Sequence, residues 1–161
     1  MDKFFLMLWD HMYVFLISMV PIIELRGSIP VGAALGLSPV PTFLSAVLGN
    51  LLPVPIILFF VKPVLMWMKR FRLFRPIVEW LENKAMKHGS RVEKGAFIGL
   101  MLFVGIPLPG TGAWTGSLIA ALFDVKKRYS FPAIILGVLI AGVIMTLVSY
   151  GFLSALEFLL P

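Results

Sequence analysis

The lengths of the apolar runs constrain this chain more than any other feature. Residues 42–61 and 131–160 are apolar for long enough to cross a hydrocarbon core of about 30 Å. Residues 11–23, 28–37, 95–108 and 113–123 are not; at about 1.5 Å per residue the first of them reaches only ~20 Å. The short runs come in pairs. Glu24-Leu25-Arg26-Gly27 joins one pair and Pro109-Gly110-Thr111-Gly112 joins the other. Two short arms around a Gly-containing tip predict a re-entrant helical hairpin. With 60% hydrophobic residues and a mean hydropathy of +0.99, the chain reads as an all-α integral membrane protein.

The order short arm, tip, short arm, long span occurs twice. This predicts a single membrane domain: a first repeat over 1–61, a basic linker over 62–94 and a second repeat over 95–161. Ala46-Val47-Leu48-Gly49 in the first long span resembles Ile134-Ile135-Leu136-Gly137 in the second. Asn50, Pro53 and Pro55 predict a break near the middle of 42–61. Asp10-His11 predicts a division between an interfacial N-terminal turn and an inserted arm. Ser38-Pro39-Val40-Pro41 predicts a loop. The Gly-x-x-x-Gly spacings at Gly32/Gly36, Gly95/Gly99 and Gly112/Gly116 predict close packing of hairpin arms.

The net charge of +6 comes from basic residues that flank apolar runs, so anionic lipid headgroups, rather than nucleic acid, are the expected partner. Residues 62–94 hold nine Lys or Arg and three Glu, interleaved with Trp67, Phe71, Phe74, Trp80 and Leu81. They read as basic amphipathic helices on a membrane surface, with a plain cytosolic loop as the alternative. If both hairpins are re-entrant, only the two long spans cross. Twelve of the fourteen basic residues then share one side, which the positive-inside rule makes cytoplasmic, with both termini outside. The hairpins then dip in from opposite faces as an inverted repeat. Met1-Asp2-Lys3 runs into apolar sequence without a small-residue cleavage site, so no cleavable signal is expected.

There are no cysteines, and no metal-ligand cluster, catalytic triad or phosphate loop is present, so neither an enzyme nor a bound cofactor is expected. The candidate site lies at the tips. Glu24 and Arg26 are the only acid–base pair within a long apolar region, and buried ionisable groups in membranes are usually paired and functional. Desolvation favours the neutral acid of Glu24 while Arg26 favours its carboxylate, the setting in which a carboxyl exchanges a proton. The alternative is a structural ion pair that fixes the tip. Their i,i+2 spacing requires a turned tip if they are to meet.

Arg26 offers a planar fork suited to phosphate or carboxylate. Ser28 and Thr111 are candidate N-caps, while Gly27, Gly110 and Gly112, beside Pro109, allow a ligand close to backbone. Two helix N-termini converging there would suit an anion. The carbonyl ends of the preceding arms would suit a cation, so the sign of the ligand stays open. Asn50 either faces the same cavity or hydrogen-bonds between helices. Trp114 lines a lipid path or packs, and Asp10-His11 is a weaker candidate for proton entry.

Residues 21–32, Pro-Ile-Ile-Glu-Leu-Arg-Gly-Ser-Ile-Pro-Val-Gly, and residues 107–116, Pro-Leu-Pro-Gly-Thr-Gly-Ala-Trp-Thr-Gly, resemble the two signature stretches of the small multidrug export protein family. The wider layout is similar to the DedA/VTT superfamily. That likeness implies proton-linked or facilitated movement of lipids, notably polyprenyl phosphates, with Glu24 matching the acidic residue of the first hairpin and Pro109-Gly110 the Pro-Gly of the second. The arginines that DedA proteins place around that Pro-Gly are replaced here by Gly105 and Thr111-Gly112. The function expected is transport of an anionic lipid such as a polyprenyl phosphate; export of small cationic molecules and a non-transporting scaffold are the alternatives. A hairpin edge left open to lipid predicts a homo-oligomer.

Overall fold

The structure, a computed structural model, describes residues 3–71, 75, 76, 79 and 93–159. Among them the chain forms seven helices and no strand: α1 Lys3–Met19, α2 Glu24–Ala34, α3 Pro39–Leu51, α4 Pro53–Met68, α5 Glu93–Gly105, α6 Ala113–Leu122 and α7 Lys127–Leu159. Two stretches are long and apolar enough to cross a membrane, Pro39–Met68 and Lys127–Ala155.

Several boundaries differ from the sequence expectations. α1 runs without a break through Asp10-His11; His11 Nδ1 donates back to the Met7 carbonyl at 2.7 Å, while its Nε2 is buried without a hydrogen-bond partner among the described residues. The first reversal is at residues 20–23, ahead of Glu24, which begins α2 rather than the tip. Pro21 interrupts the helix, and Ile22 and Glu24 take left-handed φ values of 80° and 49°. Ser28 is therefore no N-cap but a buried residue of α2, and Gly27 is helical, its missing Cβ leaving room for the Ile23 side chain. Pro39 is the first residue of α3, a favoured place for proline, so the loop ends at Ser38. The expected break in the first span is at Leu52, just before Pro53.

α4 continues to Met68 and takes in the start of the basic stretch, where Trp67 and Phe71 meet edge to face at 4.9 Å. Arg75 and Glu79 form an exposed i,i+4 ion pair, and the hydrogen bond from Arg75 holds the Glu79 carboxyl below its ordinary range. The rest of the expected amphipathic linker lies outside the described residues. Of the Gly-x-x-x-Gly pairs, Gly95 and Gly99 touch nothing that a Cβ would displace, so they do not pack arms together. Gly32 packs against Thr42 and Val14, and Gly116 against Val104.

The packing interleaves the two halves. α1 lies on α2 and α3, and α5 lies on α7. α2 also packs on α7, while α6 packs on α4. Val14, Leu25, Ile29, Val54, Val104, Ile134 and Val138 are fully buried in the core this produces. Two close crossings set its geometry. Gly49 of α3 sits on the backbone of Phe15 in α1, beside Ser18, whose Oγ donates to the Ala46 carbonyl at 2.5 Å. Gly137 of α7 sits on Met101 and Val104 of α5. These are the glycines of the two similar tetrapeptides.

The ends of the molecule are also defined. Tyr150 Oη of α7 donates to the Leu37 carbonyl at 2.8 Å and lies 3.1 Å from Thr42 Oγ1, so the α2–α3 loop, Thr42 and Tyr150 share one end. At the other end Lys62 pairs with Asp124 in the α6–α7 loop, and Lys127 Nζ sits 3.8 Å over the Phe59 ring. Thr42 to Lys62 spans about 30 Å of helix axis.

The halves repeat their backbone conformations too. Among the described residues, positive φ occurs at Ile22 and Gly110, Glu24 and Gly112, and Gly36 and Asp124, each pair 88 residues apart. The buried face Glu24, Leu25, Ser28, Ile29, Gly32, Ala33 recurs at the same spacing as Gly112, Ala113, Gly116, Ser117, Ala120, Ala121.

The crossing at Gly137 leaves no room for a methyl group, since its Cβ would lie 2.8 Å from the Met101 carbonyl and 2.7 Å from Val104 Cβ. Overpacking of a rigid crossing costs about 1–3 kcal/mol. Gly137→Ala is expected to lower the melting temperature of the purified protein, and Gly95→Ala to leave it unchanged.

Candidate functional site

The two reversals meet inside the molecule. α2 and α6 approach each other N-terminus to N-terminus, and the Glu24 carboxylate lies between them. Glu24 is 3% exposed. Its left-handed backbone swings the side chain off the regular helical path, so it meets Arg26 despite the i,i+2 spacing. Arg26 Nη1 donates to Glu24 Oε2 at 2.7 Å. The backbone N–H of Trp114, in the first turn of α6, donates to Glu24 Oε1 at 3.0 Å. Glu24 thus opens its own helix and caps a second one. No side chain of α6's own N-cap residue, Gly112, could do so.

Arg26 completes the junction. Its Nη2 donates to Thr111 Oγ1 at 2.9 Å and approaches the carbonyls of Val104 at 3.2 Å and Ile106 at 3.3 Å, where α5 ends. Thr111 Oγ1 in turn lies 2.9 Å from the carbonyls of Ile106 and Leu108 and closes the second loop. Trp114 Nε1 donates to the Met19 carbonyl at 3.0 Å, tying α6 to the end of α1. Every one of these contacts obeys helix polarity: the anion faces the N–H end of α6, the cations and donors face the carbonyl ends of α5 and α1.

A charge count follows. Each helix end carries roughly half an elementary charge, so two N-termini and two C-termini cancel. Glu24 and Arg26 cancel as well. The junction is neutral with Glu24 ionised and carries about one excess positive charge when Glu24 is protonated.

Glu24, Arg26, Thr111 and Gly112 are therefore brought together as the sequence suggested. Thr111 is not an N-cap; Gly112 holds that position at φ 140°. Gly27 faces Ile23 in its own helix. Pro109 and Gly110 are exposed on the second loop. Ser28 and Asn50 are both buried, and neither the Ser28 hydroxyl nor the Asn50 amide has a protein hydrogen-bond partner among the described residues. Sequence reasoning gave Trp114 only a lining or packing role and passed over the carbonyls of Met19, Val104 and Ile106. Backbone groups leave no signature in composition; only the position of Trp114 just past the second tip pointed there.

A family model described as "Putative small multi-drug export protein" matches residues 24–144, from Glu24 through most of α7. No curated protein and no solved structure matches the chain.

Gly112 is the residue on which the junction's fit depends. A Cβ there would fall on the Glu24 carboxylate and the Arg26 guanidinium, and φ 140° disfavours any L side chain. Gly112→Ala is expected to break the Glu24–Trp114 contact. Faster hydrogen exchange at the Trp114 amide, with exchange in α3 unchanged, is the measurement that checks it.

Proposed function

We propose, from the premise that this chain belongs to the small multi-drug export family, that it is a membrane transporter which carries an anionic group in step with a proton on Glu24. One observation carries the reading: the Glu24 carboxylate occupies a place built for an anion, between the N–H end of α6 and Arg26. Protonation removes its charge and leaves a desolvated positive junction, which an external phosphate, sulfonate or carboxylate would neutralise. Proton uptake and anion binding then favour each other. A cation at the same place would face Arg26 and two helix N-termini.

The membrane arrangement rests on three lengths. α2 and α6 extend about 16 and 15 Å from the junction, and together match the roughly 30 Å from Thr42 to Lys62 and the thickness of the hydrocarbon core. α2 runs towards the Thr42 end and α6 towards the Lys62 end, which supports two re-entrant hairpins entering from opposite faces. The 88-residue recurrence of left-handed residues supports an inverted repeat. The basic end, with Lys62 and the 126–128 cluster, is the cytoplasmic one on the positive-inside rule. The likeness to DedA proteins rests on this layout.

Lipid-borne and soluble anions share the same headgroup chemistry. Proteoliposomes under an imposed pH gradient separate them: labelled polyprenyl phosphate, a soluble organic phosphate and a cationic dye are offered in parallel. Glu24→Gln should keep the Trp114 hydrogen bond, bind the anion without pH dependence and lose gradient-driven transport. Arg26→Lys should recover only part of the affinity, because an ammonium lacks the fork. Full gradient-driven transport by a folded Glu24→Gln protein, or movement of the dye alone, sinks the reading.

The exposed tips argue for a second copy. Ile22, Ile23, Ile106 and Leu108 are exposed beside loop backbone at mid-depth, where lipid cannot satisfy polar groups. A homo-oligomer that covers both tips is expected in native mass spectrometry from mild detergent; a purely monomeric mass with transport intact at high dilution counts against it.

A further inference from the structure

The two halves share a backbone but not the chemistry of their buried faces. Outward from Glu24, towards the Tyr150 end, the α2 face carries Ser28 and then Gly32, each one turn further on. Gly32 is small enough for Thr42 to lie against it, and the Thr42 hydroxyl meets Tyr150 Oη at 3.1 Å. The corresponding face of α6 carries Gly112, Gly116 and Ala120, packed on Leu100 and Val104 at Gly116. Towards the basic end the one buried hydroxyl of α6, Ser117, donates to its own Ala113 carbonyl at 2.6 Å. The next buried hydroxyl is Ser130, at the start of α7, 88 residues after Thr42. No unpartnered buried hydroxyl on α6 links it to the junction as Ser28 does on α2.

Two groups on or beside this line have unmet hydrogen-bonding capacity. Ser28 is 0% exposed, and its Oγ has no protein partner, although a helical serine ordinarily bonds back along its own helix. Asn50 is 1% exposed, with both Oδ1 and Nδ2 unpartnered. Its level is fixed by its neighbour Gly49, which packs on Phe15 and Ser18 just before the first reversal. Asn50 therefore lies on α3 near the depth of the junction. Buried polar groups without protein partners are characteristically met by internal water. The spacing fits: four residues of helix rise about 6 Å, the distance that one water bridges with two hydrogen bonds.

We propose that Glu24, Ser28, Thr42 and Tyr150, with Asn50 beside the inner end, line a chain of internal waters that delivers protons to Glu24 from the α2–α3 loop end, and that α6, whose buried hydroxyl Ser117 is bonded to its own Ala113 carbonyl, offers no such path. The inference deepens the transport reading by giving the proton a side of entry. At the inner end the ionisable groups are Glu24 and Arg26; α6 presents the Trp114 N–H, α5 the carbonyls of Val104 and Ile106, and α3 the Asn50 amide. A proton enters as hydronium at Tyr150. Each hydroxyl and water accepts one proton and passes another forward, so none changes net state, and the proton ends on a Glu24 oxygen.

The chain has no native cysteine, so single thiols report water access without reference to transport. Ser28→Cys, Asn50→Cys, Thr42→Cys and Ala120→Cys proteins are sealed in liposomes of known orientation. Lys127→Cys marks the basic end. Silver ion, small enough to follow a water chain, is added to one side, and unblocked thiols are then alkylated after solubilisation. Thiols at 28, 42 and 50 should be blocked from the α2–α3 loop end only, and the thiol at 120 from neither. A thiol at 28 that stays free, one reached from the basic end, or equal blocking at 120 overturns the proposal. Should the position 28 variant fail to fold, position 50 decides in the same way. One-sided blocking with no gradient-driven transport of any anion would leave the water path standing and remove the transport reading.

Discussion

Two helix N-termini that point at each other within a protein must be separated by negative charge or by water. Here the Glu24 carboxylate does it, held by the Trp114 N–H on one side and Arg26 on the other. Much of the surrounding structure serves to bring it there. Pro21 and the left-handed residues of the first reversal turn its side chain across to α6. Gly112 vacates the volume that the carboxylate fills. Arg26 needs acceptors, and the end of α5 supplies them at Val104 and Ile106. Trp114 then fastens the second hairpin to the first through the Met19 carbonyl.

This arrangement makes the junction a support whose two charges depend on each other. In a low-dielectric interior, removing one member of a paired charge leaves the other uncompensated, at a cost of about 3–5 kcal/mol when nothing replaces it. Protonating Glu24 does that without a mutation. Arg26 would then keep only the neutral acceptors Thr111, Val104 and Ile106. The close glycine crossings at Gly49 and Gly137 tie α1 to α3 and α5 to α7. A backbone-to-backbone crossing of this kind has no slack, so each of these helix pairs holds together as a unit.

Much of this was legible in the sequence because it follows from length and from residues with no alternative. Short arms, long spans, the Pro53 break and the lone acid–base pair could all be read off directly. The reversal itself was displaced by a few residues. Left-handed φ is expected at glycine, so Gly27 drew the turn to itself, while the chain places that conformation at Ile22 and Glu24. The uninterrupted α1 was hidden because polarity at Asp10-His11 looked like an interface, and a histidine bonded to its own helix leaves no mark in the sequence. The 88-residue correspondence was only partly visible, since it is carried by backbone angles and buried positions more than by identical residues.

The difference between the halves at the junction has its own physical cause. Position 24 carries glutamate and its counterpart 88 residues on carries Gly112. Two glutamates would force two carboxylates into one desolvated space, where only one can hold its charge. Two glycines would leave two positive helix ends and Arg26 facing each other with nothing between. Two segments that share their backbone angles and meet end to end cannot both carry the same residue at the point where they touch. One half must supply the charge and the other must supply the room. The difference extends one turn outward: α2 carries Ser28, whose hydroxyl has no protein partner among the described residues, where α6 carries Gly116, and the neighbouring Ser117 of α6 is bonded back to Ala113. The asymmetry at one atom-to-atom contact is thereby accompanied by a second one turn further along the same two helices.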